Sequence, residues 1–186
     1  NGLLLDGFSD YVSLPDISSH FTANAATLLA WVKLAVATPS DATKTGLINL
    51  GTGSNCHYPW VDGTSYQNVW RNNSRVDSIS LLGSVTRTQW HLVAITSDSG
   101  GSGRWKMYQN GTEVRDTAAT TLSLPNPPYI GYQNGYGLDG MLDEIHLCNR
   151  AFSANRIWAS WMNLASNGTF ATYGAATLQG FPSVRT

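Results

Sequence analysis

Residues Trp105–Gln109 (WKMYQ) run into Asn110-Gly111, a dipeptide that accepts positive φ at both central positions of a two-residue hairpin. No other short signal in the chain constrains the fold as strongly, because a tight hairpin makes its two strands antiparallel neighbours. The rest of the chain has the same grain. Short β-rich runs alternate with turn signals: Leu3–Asp6, Tyr11–Leu14, Thr27–Ala35, Leu47–Leu50, Val76–Leu82 and Trp90–Ser97 before the hairpin. Thr120–Leu124, Tyr129–Tyr132 and Met141–Cys148 come after it.

One segment departs from this pattern. In Ser153–Asn163 (SANRIWASWMN), Ile157 and Trp161 stand at i and i+4, and Ser153 is placed to cap the first turn. One short helix is expected there, with Gly168 beyond its end and a last strand near Phe170–Tyr173. About a dozen strands and one helix predict an all-β fold, a two-sheet antiparallel jelly-roll sandwich. The expected domain covers residues 1–176, and 177–186 reads as a tail or linker.

Composition narrows the function. Net charge is −1 and only 12% of residues are charged, so nothing attracts a phosphate backbone and no nucleic acid partner is expected. No apolar run reaches the roughly 18 residues of a membrane span, so no membrane insertion is expected. A neutral surface rich in hydroxyls and amides suits an extracellular, secreted or surface-exposed protein. The start at Asn1, without Met, fits a processed protein or an excised domain. Asn72, Asn110 and Asn167 head glycosylation sequons that chance explains equally well. Cys56 and Cys148 leave two readings open, one long-range disulfide or two separate thiols.

Three stretches carry a family resemblance. LLLDGFSDYVSLP resembles the opening strand pair of laminin-G-like, concanavalin A-like lectin/glucanase domains. RTQWHLVAITSDSGGSGRWKMYQNGTEV resembles their central hairpin, and GLDGMLDEIHLCNRAFSANRIWASW their closing strand and helix. The likeness runs from about Leu3 to Gly174. It implies a jelly-roll sandwich but no single function, since the family includes sugar-binding modules, adhesion domains and some glycosidases.

Catalysis is not expected. Retaining glucanases of this family carry Glu-x-Asp-x(1–2)-Glu on one strand, and the only glutamates here are Glu113 and Glu144. A dyad from distant strands, such as Asp62 with Glu144, stays open. His57, His91 and His146 lack metal-ligand spacing; His57 reads as a strand end, the other two as strand-surface positions. Strict alternation along the closing strand puts Asp143 with Ile145 and Leu147, and Leu142 with Glu144 and His146. A carboxylate on a core face needs a partner. The resemblance implies a structural Ca²⁺ where the closing strand meets the first strand. The expected ligands are Asp6 and Asp143 with backbone oxygens, and hydrogen bonding of Asp143 without metal is the alternative.

The candidate binding site lies in Cys56–Arg75 (CHYPWVDGTSYQNVWRNNSR). The segment reads as no helix and a poor plain strand, because it offers few aliphatic residues. Its rings, amides and carboxylate suit a pyranose, whose C–H faces lie on aromatic plates while its hydroxyls meet polar groups. The expected carbohydrate-binding residues are His57, Trp60, Asp62, Tyr66, Trp70 and Arg75. Arg71 and Arg75 extend the ligand class to acidic or sulfated glycans. The leading reading is a non-catalytic extracellular carbohydrate-binding or adhesion module with a polysaccharide or glycan partner. The alternatives are a structural or interaction domain of a virion or cell-surface assembly, bound to a partner protein, and a glycoside hydrolase.

Overall fold

The computed structural model describes residues 2–21, 25–35, 45–46, 48–49, 56–62, 65–72, 75–78, 89–98, 100–118, 129–133 and 136–166, with backbone pairing alone over 45–78. The expected strands Thr120–Leu124 and Phe170–Tyr173, Gly168 and the tail 177–186 lie outside them.

Leu3–Asp6 forms β1 and Val12–Ser13 forms β2; a single 3-10 turn at Ser18–His20 leads to β3, Ala25–Leu34. Next come β4 (Thr45–Gly46), β5 (Ile48–Asn49), β6 (Cys56–Asp62), β7 (Ser65–Asn72) and β8 (Arg75–Ser78). The central run is β9 (His91–Asp98), β10 (Arg104–Gln109) and β11 (Thr112–Ala118). Three short strands follow, β12 (Tyr129–Ile130), β13 (Tyr132–Gln133) and β14 (Tyr136–Gly137); β15 (Asp139–Cys148) and helix α1 (Ala154–Ala165) close the fold.

The predicted hairpin is present. Gln109 pairs with Thr112 across Asn110 (φ 48°) and Gly111 (φ 77°). It forms one side of a six-stranded antiparallel sheet in the order β1-β15-β3-β9-β10-β11. Smaller sheets, β2-β12-β5, β13-β14 and β4-β6-β7-β8, supply the remaining strands. Ile130 of β12 joins Leu5, Val32, Val93, Met107 and Leu142 in one buried cluster, so β12 packs over one face of the large sheet. The result is the expected jelly-roll-like sandwich of mostly antiparallel sheets with one short helix.

Helix α1 covers the other face of the large sheet. Ser153 caps it, its Oγ accepting the Arg156 N–H at 3.3 Å. Ile157 and, in part, Trp161 pack with Leu29, Trp31, Leu92, Ala94 and Tyr108 into a second cluster. Strands β3 and β9 are thus buried on both faces, which is why their sequences are nearly continuous apolar runs. The same double cover corrects the reading of His91. It is buried, not on a strand surface, with Nδ1 3.3 Å from Asn110 Nδ2.

Two further expectations change. Cys56–Asn72, read as a poor strand, contains two paired strands, β6 and β7. Aromatic residues fit a pleated surface well even where aliphatic ones are scarce. The alternation along β15 also breaks. Asp143 pairs with Trp31 but His146 pairs with Leu29, so β15 carries one extra residue, and Glu144 takes φ 49°. Across this bulge Leu142, Ile145 and Leu147 all turn to the sandwich core, while Cys148 turns to the helix side.

Candidate functional site

Strands β6, β7 and β8 carry all six expected sugar-binding residues. His57 lies opposite Trp70, Trp60 opposite Gln67, Val61 opposite Tyr66, Asp62 opposite Ser65, and Asn72 opposite Arg75. Directly opposed residues share a face, and residues two apart share it too. The register therefore groups His57, Tyr66, Trp70 and Arg75 on one face. It sets Trp60 and Asp62 on the other. One site does not receive all six from regular strands.

The expected calcium ligands are not brought together. Asp6 lies opposite Asp139, and Asp143 is four residues further along β15, about 13 Å at strand rise. Asp6 Oδ1 instead accepts the N–H groups of Phe8, Ser9 and Asp10 at 2.9, 3.2 and 3.3 Å. These bonds, that of Phe8 first, hold its carboxyl below the usual range. Asp143 Oδ1 accepts the Glu144 N–H at 2.9 Å. It faces away from the sandwich core, because the bulge reverses the alternation on which the buried-carboxylate argument rested. Among the described residues no group of three or more His, Cys, Asp or Glu could hold a metal ion. Asp6 and Asp143 thus do not belong to one donor set. Cys148 is a free thiol, partly buried on the helix side of the large sheet.

The structure adds an aromatic cluster that sequence reasoning passed over. Tyr11, Tyr129 and Tyr132 meet with ring centroids 5.2 Å (Tyr11–Tyr129), 5.4 Å (Tyr11–Tyr132) and 6.4 Å (Tyr129–Tyr132) apart. Pairing of β2 with β12 brings them together, Tyr129 lying opposite Ser13 and Ile130 opposite Val12. Ile130 is buried in the core, so Tyr129, one residue away, faces outward. Tyr11 is 50% exposed. The rings form a tilted, partly wet platform of the kind that covers the C–H face of a sugar. The only trace of it in the sequence is the Tyr129-x-x-Tyr132 spacing, and nothing local links that to Tyr11.

The comparisons agree with this architecture. Residues 6–158 match the family model described as the concanavalin A-like lectin/glucanases superfamily. No curated protein matches the chain in sequence. Among solved structures, the receptor-binding domain of a botulinum neurotoxin C/D mosaic serotype aligns with TM-score 0.70 and 14% identity. The alignment covers 87% of this chain and 42% of that one. The CBM40 of the Ruminococcus gnavus IT-sialidase, bound to α2,3-sialyllactose, aligns with TM-score 0.68 and 14% identity, covering 86% of this chain and 95% of that one. A structure of botulinum neurotoxin type C, whose cell entry depends on interaction with two ganglioside molecules, aligns with TM-score 0.64 and 11% identity. That alignment covers 90% of this chain and 42% of the toxin chain. At these identities the shared property is the fold, and this chain spans less than half the length of the toxin domains.

Proposed function

The chain belongs to the concanavalin A-like lectin/glucanases superfamily, and from that membership we propose that it is a non-catalytic, extracellular carbohydrate-binding module. The observation that carries the reading is the outward platform of Tyr11, Tyr129 and Tyr132. The register of β6, β7 and β8 groups His57, Tyr66, Trp70 and Arg75 on one face of their sheet. Rings, an imidazole and a guanidinium on one face suit an anionic glycan. CBM40 with its sialyllactose is a member of the same fold class with such a ligand.

The test is a glycan array spanning neutral, sialylated and sulfated sugars, read with soluble protein. Tyr11→Ala is expected to weaken binding by about 1–3 kcal/mol and leave the melt unchanged. Arg75→Ala is expected to weaken anionic glycans alone, by an amount that shrinks with added salt. Failure of every glycan, with assembly on size exclusion, would replace this reading with an interaction domain. Leu4 and the 82%-exposed Phe8, on and just beyond edge strand β1, are the surface that favours that alternative.

A further inference from the structure

A cavity of about 400 Å³ opens on the opposite side of the large sheet, between the sheet and the last turn of α1. Trp31, Trp90 and Trp161 line it together with Asn110, Asp143 and Glu144. Trp31 forms its buried floor, Trp161 is half-buried on the helix, and Trp90 is 36% exposed at the mouth. The β15 bulge shapes it. In a regular strand two successive side chains point to opposite faces. With Glu144 at φ 49°, Asp143 and Glu144 both border the same cavity. Among the described residues lining it, none is Lys or Arg. Asn110 is already committed, its Oδ1 accepting the Leu92 N–H at 3.0 Å.

Indole faces are negative, and the two carboxylates add negative charge with no Lys or Arg in the lining. Outside the lining, His146 Nε2 stands 3.5 Å from Glu144 Oε2, which leaves Asp143 as the carboxylate free of an ion pair among the described residues. We infer that this cavity binds a small organic cation, a compact ammonium carried on a C–H-rich body such as a choline head group or an amino sugar. The ammonium sits among the indoles beside Asp143 and Glu144, and its C–H surface replaces water against Trp31 and Trp161. The site lies on the other face of the large sheet from the tyrosine platform, so the inference does not rest on the glycan reading.

The test is tryptophan fluorescence and calorimetric titration of the full chain with two matched pairs. Choline is set against its neutral isostere 3,3-dimethyl-1-butanol, and glucosamine against N-acetylglucosamine. At least one cation is expected to bind, at least about tenfold more tightly than its neutral partner. Which pair shows the preference identifies the source of the ammonium. Asp143→Asn with Glu144→Gln, which keeps the side-chain shapes, is expected to abolish that preference. Trp90→Ala, at a partly exposed ring, is expected to weaken the cation when binding is read per folded molecule. Failure of both cations to bind the wild-type protein, or equal binding of each cation and its neutral partner, would overturn the inference whatever the variants do.

Discussion

Thr27 is the position at which one hydroxyl, through two hydrogen bonds, ties the segment that starts the helix to the sheet. Its side chain is fully buried in β3. Its hydroxyl donates to the Arg150 carbonyl at 2.7 Å and accepts the Phe152 N–H at 2.8 Å, and Phe152 immediately precedes the Ser153 cap. Thr27→Val keeps the volume and removes both bonds. Arg150 is exposed, so water can reach its carbonyl, but the Phe152 amide is left buried and unpaired. An unsatisfied buried donor costs about 1–3 kcal/mol, and losing the second bond adds about 0.5–1. The expected destabilisation is about 1.5–4 kcal/mol, a fall in Tm of about 3–16 °C for a chain of this size. Thr27→Ser keeps both bonds and loses one buried methyl, about 1 kcal/mol. Urea unfolding of the three proteins decides the matter. The order wild type, Ser, Val supports the latch. A Val variant as stable as wild type, or a Ser variant less stable than Val, would refute it.

Two further outcomes are expected. Gly111→Ala forces a side chain onto φ 77°, with its Cβ 3.1 Å from Trp161 Cε3. It should cost about 1–2 kcal/mol in denaturant unfolding and also weaken cation binding by displacing Trp161. Acid should erode stability through aspartates held below their usual range. Asp98 is lowered chiefly by the Ser102 N–H, and Asp116 chiefly by the Arg104 side chain. A depressed folded pKa stabilises above the unfolded value, so their contribution is present above about pH 4 and is lost as pH falls through the folded pKa. A pH series of urea midpoints for Asp98→Asn should show a shallower acid limb than wild type, and parallel limbs would exclude the Asp98 contribution.

The sequence alone determined those features that local chemistry dictates. Asn110-Gly111 carries its own hairpin, because the φ values that turn needs are the ones these two residues tolerate. Ser153 and the Ile157–Trp161 spacing carry the helix, because a hydroxyl cap and an apolar stripe act within a few turns. The motifs at 3–15, 87–114 and 137–161 were enough for the family. What tertiary structure decided is whatever depends on which strand lies beside which. The extra residue at Glu144 is defined only against Trp31 and Leu29 of β3, so alternation along β15 alone assigned Asp143 to the wrong face and grouped it with Asp6. His91 is buried because a helix and a second layer of strands cover both sides of its strand, which the residues of that strand alone cannot register. The division of the six expected sugar-binding residues follows from the β6–β7–β8 register. The tyrosine platform and the tryptophan cavity each join segments more than a hundred residues apart. Side chains so distant meet only when the backbone hydrogen bonds between their strands are made, and the composition of no single segment encodes that pairing.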